Sequence, residues 1–281
     1  MTDRRGPGWG VADLGDVKLE YEVAGEGPDL VWLHGLSGNM EMDRRMVEPL
    51  TDEFRVTWYS SRGHGRSSAV LEAEMYRYEL FARDLERLLD VLGLERPLLA
   101  GGSHGANTLL RHEADFPGRA RALLLAAPGG NALQRPEPGT VAALRQWTEF
   151  GESQGRKGLA LVATGSDPDD PGADPEVVAA FDTNDLASIA AAMKLVIDQN
   201  AVDPAALPGF DVPTHVAAWD ADPVIHPIAT ARVIASLIPG ATFAEIERPA
   251  GLPPAEAAAA GAMLLREWAR GAVAASVANA G

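Results

Sequence analysis

From about residue 29 onward, short apolar runs bounded by turn residues alternate with stretches of helical period. The runs are Asp29–Leu33, Phe54–Tyr59, Pro97–Ala100, Ala122–Ala127, Val212–Trp219 and Ala241–Ile246. Runs of this kind suit strands buried on both faces of a parallel sheet. Between the second and third, Leu80, Phe81, Leu85, Leu88, Leu89 and Leu92 recur at helical spacing. Arg83, Asp84, Glu86, Arg87 and Asp90 occupy the opposite face, and Gly93 supplies a stop. The alternation predicts an α/β fold with a mostly parallel, doubly wound sheet. Residues 11–24 differ: Val17, Leu19, Tyr21 and Val23 alternate with polar residues, as in a half-exposed antiparallel edge.

Residues 134–210 break the alternation. Pro and Gly cluster at 135–139 and 166–172, and the helical stretches around 140–164 and 174–200 have no strand partner. This predicts a helical cap insertion, 134–210, set into a core made of 1–133 and 211–281. The Ala-rich stretch Ala255–Ala269 carries Leu264, Leu265 and Trp268 at helical spacing and is read as the last helix. The tail after about residue 270 is expected to fray.

Composition narrows the partners. The chain has 281 residues with 24 Lys+Arg against 40 Asp+Glu, a net charge of −16. That charge repels phosphate backbones, so neither nucleic acid nor an anionic membrane is an expected partner. No segment approaches the roughly 18 apolar residues of a membrane-spanning helix. The first residues lack the apolar region of an export signal, so the expected compartment is the cytoplasm. With no Cys, thiolate catalysis, disulfides and Cys-ligated metal sites are excluded, and no metal or cofactor is expected. The oligomeric state is not legible.

The chemistry concentrates at Gly101-Gly102-Ser103-His104-Gly105, a G-x-S-x-G pattern between an apolar strand and a helical stretch from Asn107 to Ala114. A sharp strand-to-helix turn would hold Ser103 in a strained conformation, with glycines keeping Cβ atoms out of the turn. The N–H of His104 would then face an oxyanion formed on a substrate.

With Leu33-His34-Gly35-Leu36-Ser37-Gly38, Ser61-Arg62-Gly63-His64-Gly65-Arg66-Ser67 and Val212-Pro213-Thr214 leading to Asp222-Pro223, this elbow resembles the α/β-hydrolase superfamily over about residues 15–270. The resemblance implies the α/β-hydrolase fold, the Leu36 N–H as second oxyanion donor and Asp222 as the triad acid, with Asp220 its rival. His34 would order the oxyanion loop, and His34 and Gly35 would line the substrate pocket. One departure is Ser60, two residues before Arg62, where the family often has Asp.

The larger departure concerns the base. The family order is Ser, acid, His, with the histidine after the last strand. Aligned on Leu252-Pro253-Pro254-Ala255-Glu256, Gly251 takes that position, and no histidine follows His226. Gly251 and His226 are read as pocket residues. His226 follows Asp222 by four residues, and as a base one helical turn from the acid it would need an unusual geometry. The His104 side chain is expected to be a wall of the site, His215 a core strand residue, His112 packing or surface, and His64 an ordinary loop histidine.

A serine hydroxyl without a base is a feeble nucleophile. The favoured reading is therefore non-hydrolytic carbon-acid chemistry, epimerisation or isomerisation, on a peptide-like or natural-product substrate. Here Ser103 and Asp222 are the catalytic candidates, and the oxyanion donors stabilise an enolate. The chain in this respect is similar to the atypical α/β-hydrolase-fold group that includes the peptide epimerase of bottromycin biosynthesis. Two alternatives stand beside it: a serine ester or lactone hydrolase with a relocated base, and an inert protein that binds a small molecule.

Overall fold

The computed structural model describes residues 8–219, 225–247 and 252–278. It opens with a hairpin, β1 (Trp9–Asp13) and β2 (Lys18–Ala24). The single edge expected over 11–24 is thus two antiparallel strands, turned where the Leu14 N–H donates to Val17 O at 2.9 Å. Then come β3 (Asp29–Leu33), α1 (Met40–Val47), β4 (Arg55–Tyr59), α2 (Tyr78–Val91), β5 (Leu98–Gly102), α3 (His104–Asp115) and β6 (Ala122–Ala126). Four helices follow: α4 (Pro138–Ser153), α5 (Gly155–Thr164), α6 (Pro175–Phe181) and α7 (Leu186–Val196). The chain returns to the sheet as β7 (Thr214–Ala218), α8 (Ile228–Leu237), β8 (Thr242–Glu245) and α9 (Pro254–Ala278).

The eight strands lie in the order β1-β2-β4-β3-β5-β6-β7-β8. β2 runs antiparallel to β4, and every pair from β4 to β8 is parallel. Alternate side chains of the parallel strands feed two cores. Val31, Leu33, Leu99, Leu123, Leu125 and Val216 face α2, α3 and α8. Leu30, Trp32, Leu98, Ala100, Leu124 and Ala217 face α1 and α9. This double burial is why the strands read as continuous apolar runs. Leu85, Leu88 and Leu89 of α2 are wholly buried, and truncating any one to Ala would cost about 2–5 kcal/mol. α2 stops where expected: Gly93 takes φ +66° and the Leu94 N–H reaches back to Leu89 O at 2.8 Å, a glycine-terminated helix end.

α9 continues to Ala278, well past the position where the tail was expected to fray. Leu265 and Ala269 are buried against the sheet, and Arg270 pairs with Glu53 at 2.6 Å. Ser276 Oγ accepts from Arg121 Nε at 2.9 Å, so tertiary contacts carry the helix through a stretch of small residues. No helix among the described residues is long and apolar enough to cross a membrane.

The register sets the site. Leu33 lies beside Gly101, Gly101 beside Leu125, and Leu125 beside Val216. The segments leaving β3, β5, β6 and β7 therefore emerge together, next to the point where strand order reverses between β3 and β5, the usual place for a ligand crevice in such a sheet. The helices α4–α7 cover that end. Asn39 fastens them: its Nδ2 donates to Ala180 O (2.9 Å) and Asn184 Oδ1 (3.1 Å), while its Oδ1 caps α1 at the N–H groups of Glu41 and Met42.

Candidate active site

Ser103 sits at the turn from β5 into α3 with φ +52° and ψ −113°, a region rare for a residue with a side chain. The two outer glycines explain how the turn closes. A Cβ on Gly105 would stand 2.3 Å from Leu33 O, and one on Gly101 would stand 2.6 Å from the Gly105 carbonyl carbon. The elbow is tied to the neighbouring strand by the Ser103 N–H, which donates to Ala126 O at 2.9 Å.

The decisive contact is His226 Nε2 at 2.8 Å from Ser103 Oγ. His226, read from the sequence as a pocket residue that would need an unusual geometry to act as base, thus stands within hydrogen-bond reach of the serine. The reason is local backbone. Residue 226 is not in a helical turn: Pro227 follows it with φ −67° and ψ 123°, and α8 begins only at Ile228. A residue before proline is held out of the helical region. The Ile225 carbonyl accepts from the Gly130 N–H at 2.8 Å, pinning this segment to the loop after β6. The His-Pro dipeptide was the sequence signal for this placement. Asp222 and its rival Asp220 lie outside the described residues, as does Gly251.

Leu36 and His104 border the same cavity as Ser103, and neither N–H donates to a partner among the described residues. Unpaired main-chain donors at a helix start and an adjacent loop form a ready anion site. His34 holds the loop from below. Its Nδ1 donates to Gly35 O at 2.7 Å and its Nε2 accepts from the Ser61 N–H at 2.9 Å. Burial pushes its pKa down to about 4, so it is neutral with the proton on Nδ1. His64, read as an ordinary loop histidine, is wholly buried and does the same work. Its Nδ1 donates to Arg62 O (2.8 Å) and its Nε2 accepts from the Ser37 N–H (3.3 Å). Burial, with the neighbouring His34, lowers its pKa to about 3.

The His104 ring packs edge-on to Phe81 at 4.4 Å and beside Tyr78 at 5.1 Å. Its ring nitrogens have no hydrogen-bond partner among the described residues, and burial holds its pKa well below the usual value. His112 is buried with Nε2 3.0 Å from Glu86. His215, half-buried at the β7–β8 boundary, meets Thr242 Oγ1 at 2.7 Å. Ser60 fills its unusual position by accepting from the Met40 N–H (3.1 Å) and donating to Glu20 (2.8 Å).

The Ser103–His226 pair separates two cavities, and both residues line each of them. One, of about 520 Å³, lies under α4, α5 and α7 and is bordered by Asn107, Asn131 and Thr148. The other, of about 540 Å³, lies on the α1–α9 side of the sheet and is mainly apolar, with Trp32, Gly35, Met46, Trp219 and Leu264 among its walls.

An eight-stranded, mostly parallel sheet with a serine elbow at a strand-to-helix turn and a neighbouring histidine defines a hydrolase-type fold. Residues 28–251 match the family model described as alpha/beta hydrolase fold. The chain belongs to that family. Among its relatives is a 2-hydroxy-6-oxo-6-phenylhexa-2,4-dienoate hydrolase of Comamonas testosteroni, 35% identical over 122 residues, 42% of each chain. A fluoroacetate dehalogenase of a Burkholderia species is 36% identical over 110 residues, 38% of this chain and 36% of the other. The chain thus matches about two fifths of the length of these relatives. In structure it resembles the enol-lactonase of Burkholderia xenovorans LB400, with a TM-score of 0.69 and 25% identity, over 85% of this chain and 91% of that one.

Proposed function

We propose that this chain is a serine hydrolase of small esters or lactones whose base comes from the segment after β7. The 2.8 Å contact between His226 Nε2 and Ser103 Oγ carries the reading. His226 takes the hydroxyl proton as Oγ attacks the substrate carbonyl carbon. The N–H groups of Leu36 and His104 receive the negative oxygen of the tetrahedral intermediate. His226 then gives its proton to the departing alkoxide, leaving an acyl ester on Ser103. A water molecule, deprotonated by the same histidine, hydrolyses that ester and returns the proton to Ser103. Asp222, four residues before His226, is the acid the resemblance supplies and completes the proposal.

The carbon-acid reading rested on a serine without a base, and His226 takes that ground away. The relatives named as a hydrolase and an enol-lactonase support bond hydrolysis. Residues 134–210 act as the cap over the site and the rest as its core. The two cavities are of a size for a small molecule, and the proposed compartment is the cytoplasm. The test is turnover of p-nitrophenyl butyrate and a γ-lactone, with Ser103 labelled by a fluorophosphonate and located by mass spectrometry. Ser103→Ala and His226→Gln should each lower kcat by at least about a thousandfold. A His226→Gln enzyme at the wild-type rate would overturn the assignment of the base.

A further inference from the structure

The apolar cavity on the α1–α9 side contains one feature that hydrolysis at Ser103 does not use. Asp43 of α1 stands in its wall. Its Oδ2 accepts from Trp32 Nε1 at 2.6 Å, and that indole is its one hydrogen-bond partner among the described residues. The neighbouring cations are engaged elsewhere: Arg44 with Glu22 and Glu41, Arg45 with Asp174 and Glu176. No Arg or Lys is among the described residues that line this cavity, and Glu247 at its rim adds a second carboxylate.

A carboxylate held in an apolar chamber with a single donor is costly unless a partner arrives. Burial accordingly raises the Asp43 pKa to about 6, against the lowering effect of the Trp32 bond. A side chain placed there for packing alone would be apolar. The Asp43 carboxylate is instead suited to a ligand that supplies the missing positive charge. The two tryptophans in the walls, Trp32 and Trp219, are surfaces on which a cation is also well received.

We propose that this chamber is a substrate subsite for an apolar chain ending in a protonated amine, and that Asp43 is its specificity-determining residue. The chain would run from the carbonyl at Ser103 along the apolar walls, with the ammonium against the free oxygen of Asp43. The inference rests on the ester or lactone reading, but its first test does not require turnover.

In that test, n-hexylammonium, n-hexanol and hexanoate are titrated into the intact protein by calorimetry. The ammonium should bind at least about tenfold more tightly than the alcohol, the size of one charge-assisted hydrogen bond, and hexanoate most weakly. Asp43→Asn, which keeps an acceptor for Trp32, should erase the difference. The second test compares kcat/KM for p-nitrophenyl 6-aminohexanoate with the heptanoate, and for an aminohexyl ester with the heptyl ester. A preference for the amine in either series, lost in Asp43→Asn, supports the subsite. Equal binding of ammonium and alcohol by the wild-type protein overturns it, even if esters are hydrolysed. Selective ammonium binding without any ester turnover would instead leave the subsite standing and remove the proposed reaction.

Discussion

His34 and His64 face each other with ring centroids 5.0 Å apart, and each accepts a main-chain N–H from the other's loop. Burial lowers both pKa values, to about 4 and about 3, from an ordinary 6.5. The unfolded chain therefore binds protons that the folded one refuses. The stability this neutral pair contributes is complete above pH 6.5, is lost progressively as pH falls below it, and is fully lost once pH has fallen through the folded-state values. The slope is roughly 1.4 kcal/mol per pH unit for each histidine inside its window. Urea unfolding of the wild type and of His64→Gln from pH 7 to 4.5 checks this: the variant should show the shallower decline between pH 6 and 4.5. Parallel declines would remove His64 from the account.

The elbow makes a sharp distinction between two of its glycines, Gly105 and Gly102. Gly105→Ala places a Cβ 2.3 Å from main-chain Leu33 O, whereas on Gly102 it would meet only Trp32 ring atoms, at 3.4 Å. Backbone cannot yield as a flexible side chain can, so Gly105→Ala should lose about 3 kcal/mol or fail to fold, and Gly102→Ala less than about 1. Urea midpoints for the two variants decide it.

If Ser103 and His226 act as one unit, their losses will not multiply. The double variant Ser103→Ala/His226→Gln should be no slower than the worse single one, each down about a thousandfold or more in kcat. Losses that multiply would mean the 2.8 Å contact is not used in the reaction.

Arg62 and Asp84 form a wholly buried pair, with bonds of 2.6 and 2.7 Å, and Arg62 also reaches Met75 O at 3.2 Å. Arg62→Ala would strand the Asp84 carboxylate and should cost about 3–5 kcal/mol. Arg62→Met with Asp84→Leu should recover a good part of that, because no charge is then left unpaired. Thermal melts of the three proteins test the difference.

The parts of this structure legible in sequence are those fixed by short-range pattern. Strands such as Leu30–Leu33 and Leu98–Ala100 announce themselves because both their faces are apolar and buried. Ser103 does so because glycines at 101 and 105 are needed by the turn. What escaped reading depends on where a side chain swings in space. His226 was counted at helical spacing from Asp222, yet the proline after it holds it in a loop over the serine. His64 looked like any loop histidine until the fold buried it against His34. Asp43 lies on the face of α1 turned towards a cavity closed by Leu264 of α9, more than two hundred positions along the chain. No local period marks that encounter.

In the proposed reaction the groups that would face the oxyanion are the main-chain N–H of Leu36 and of His104, set by the cross-held loops of His34 and His64 and by the elbow. Their geometry is therefore written in peptide units, not in the side chains that touch a ligand. The walls of the two cavities can be exchanged for other residues while these donors stay in place. Variation in what the protein accepts is thus separable from variation in how it would meet the developing charge. Selection can retune the walls one position at a time without dismantling the reaction centre.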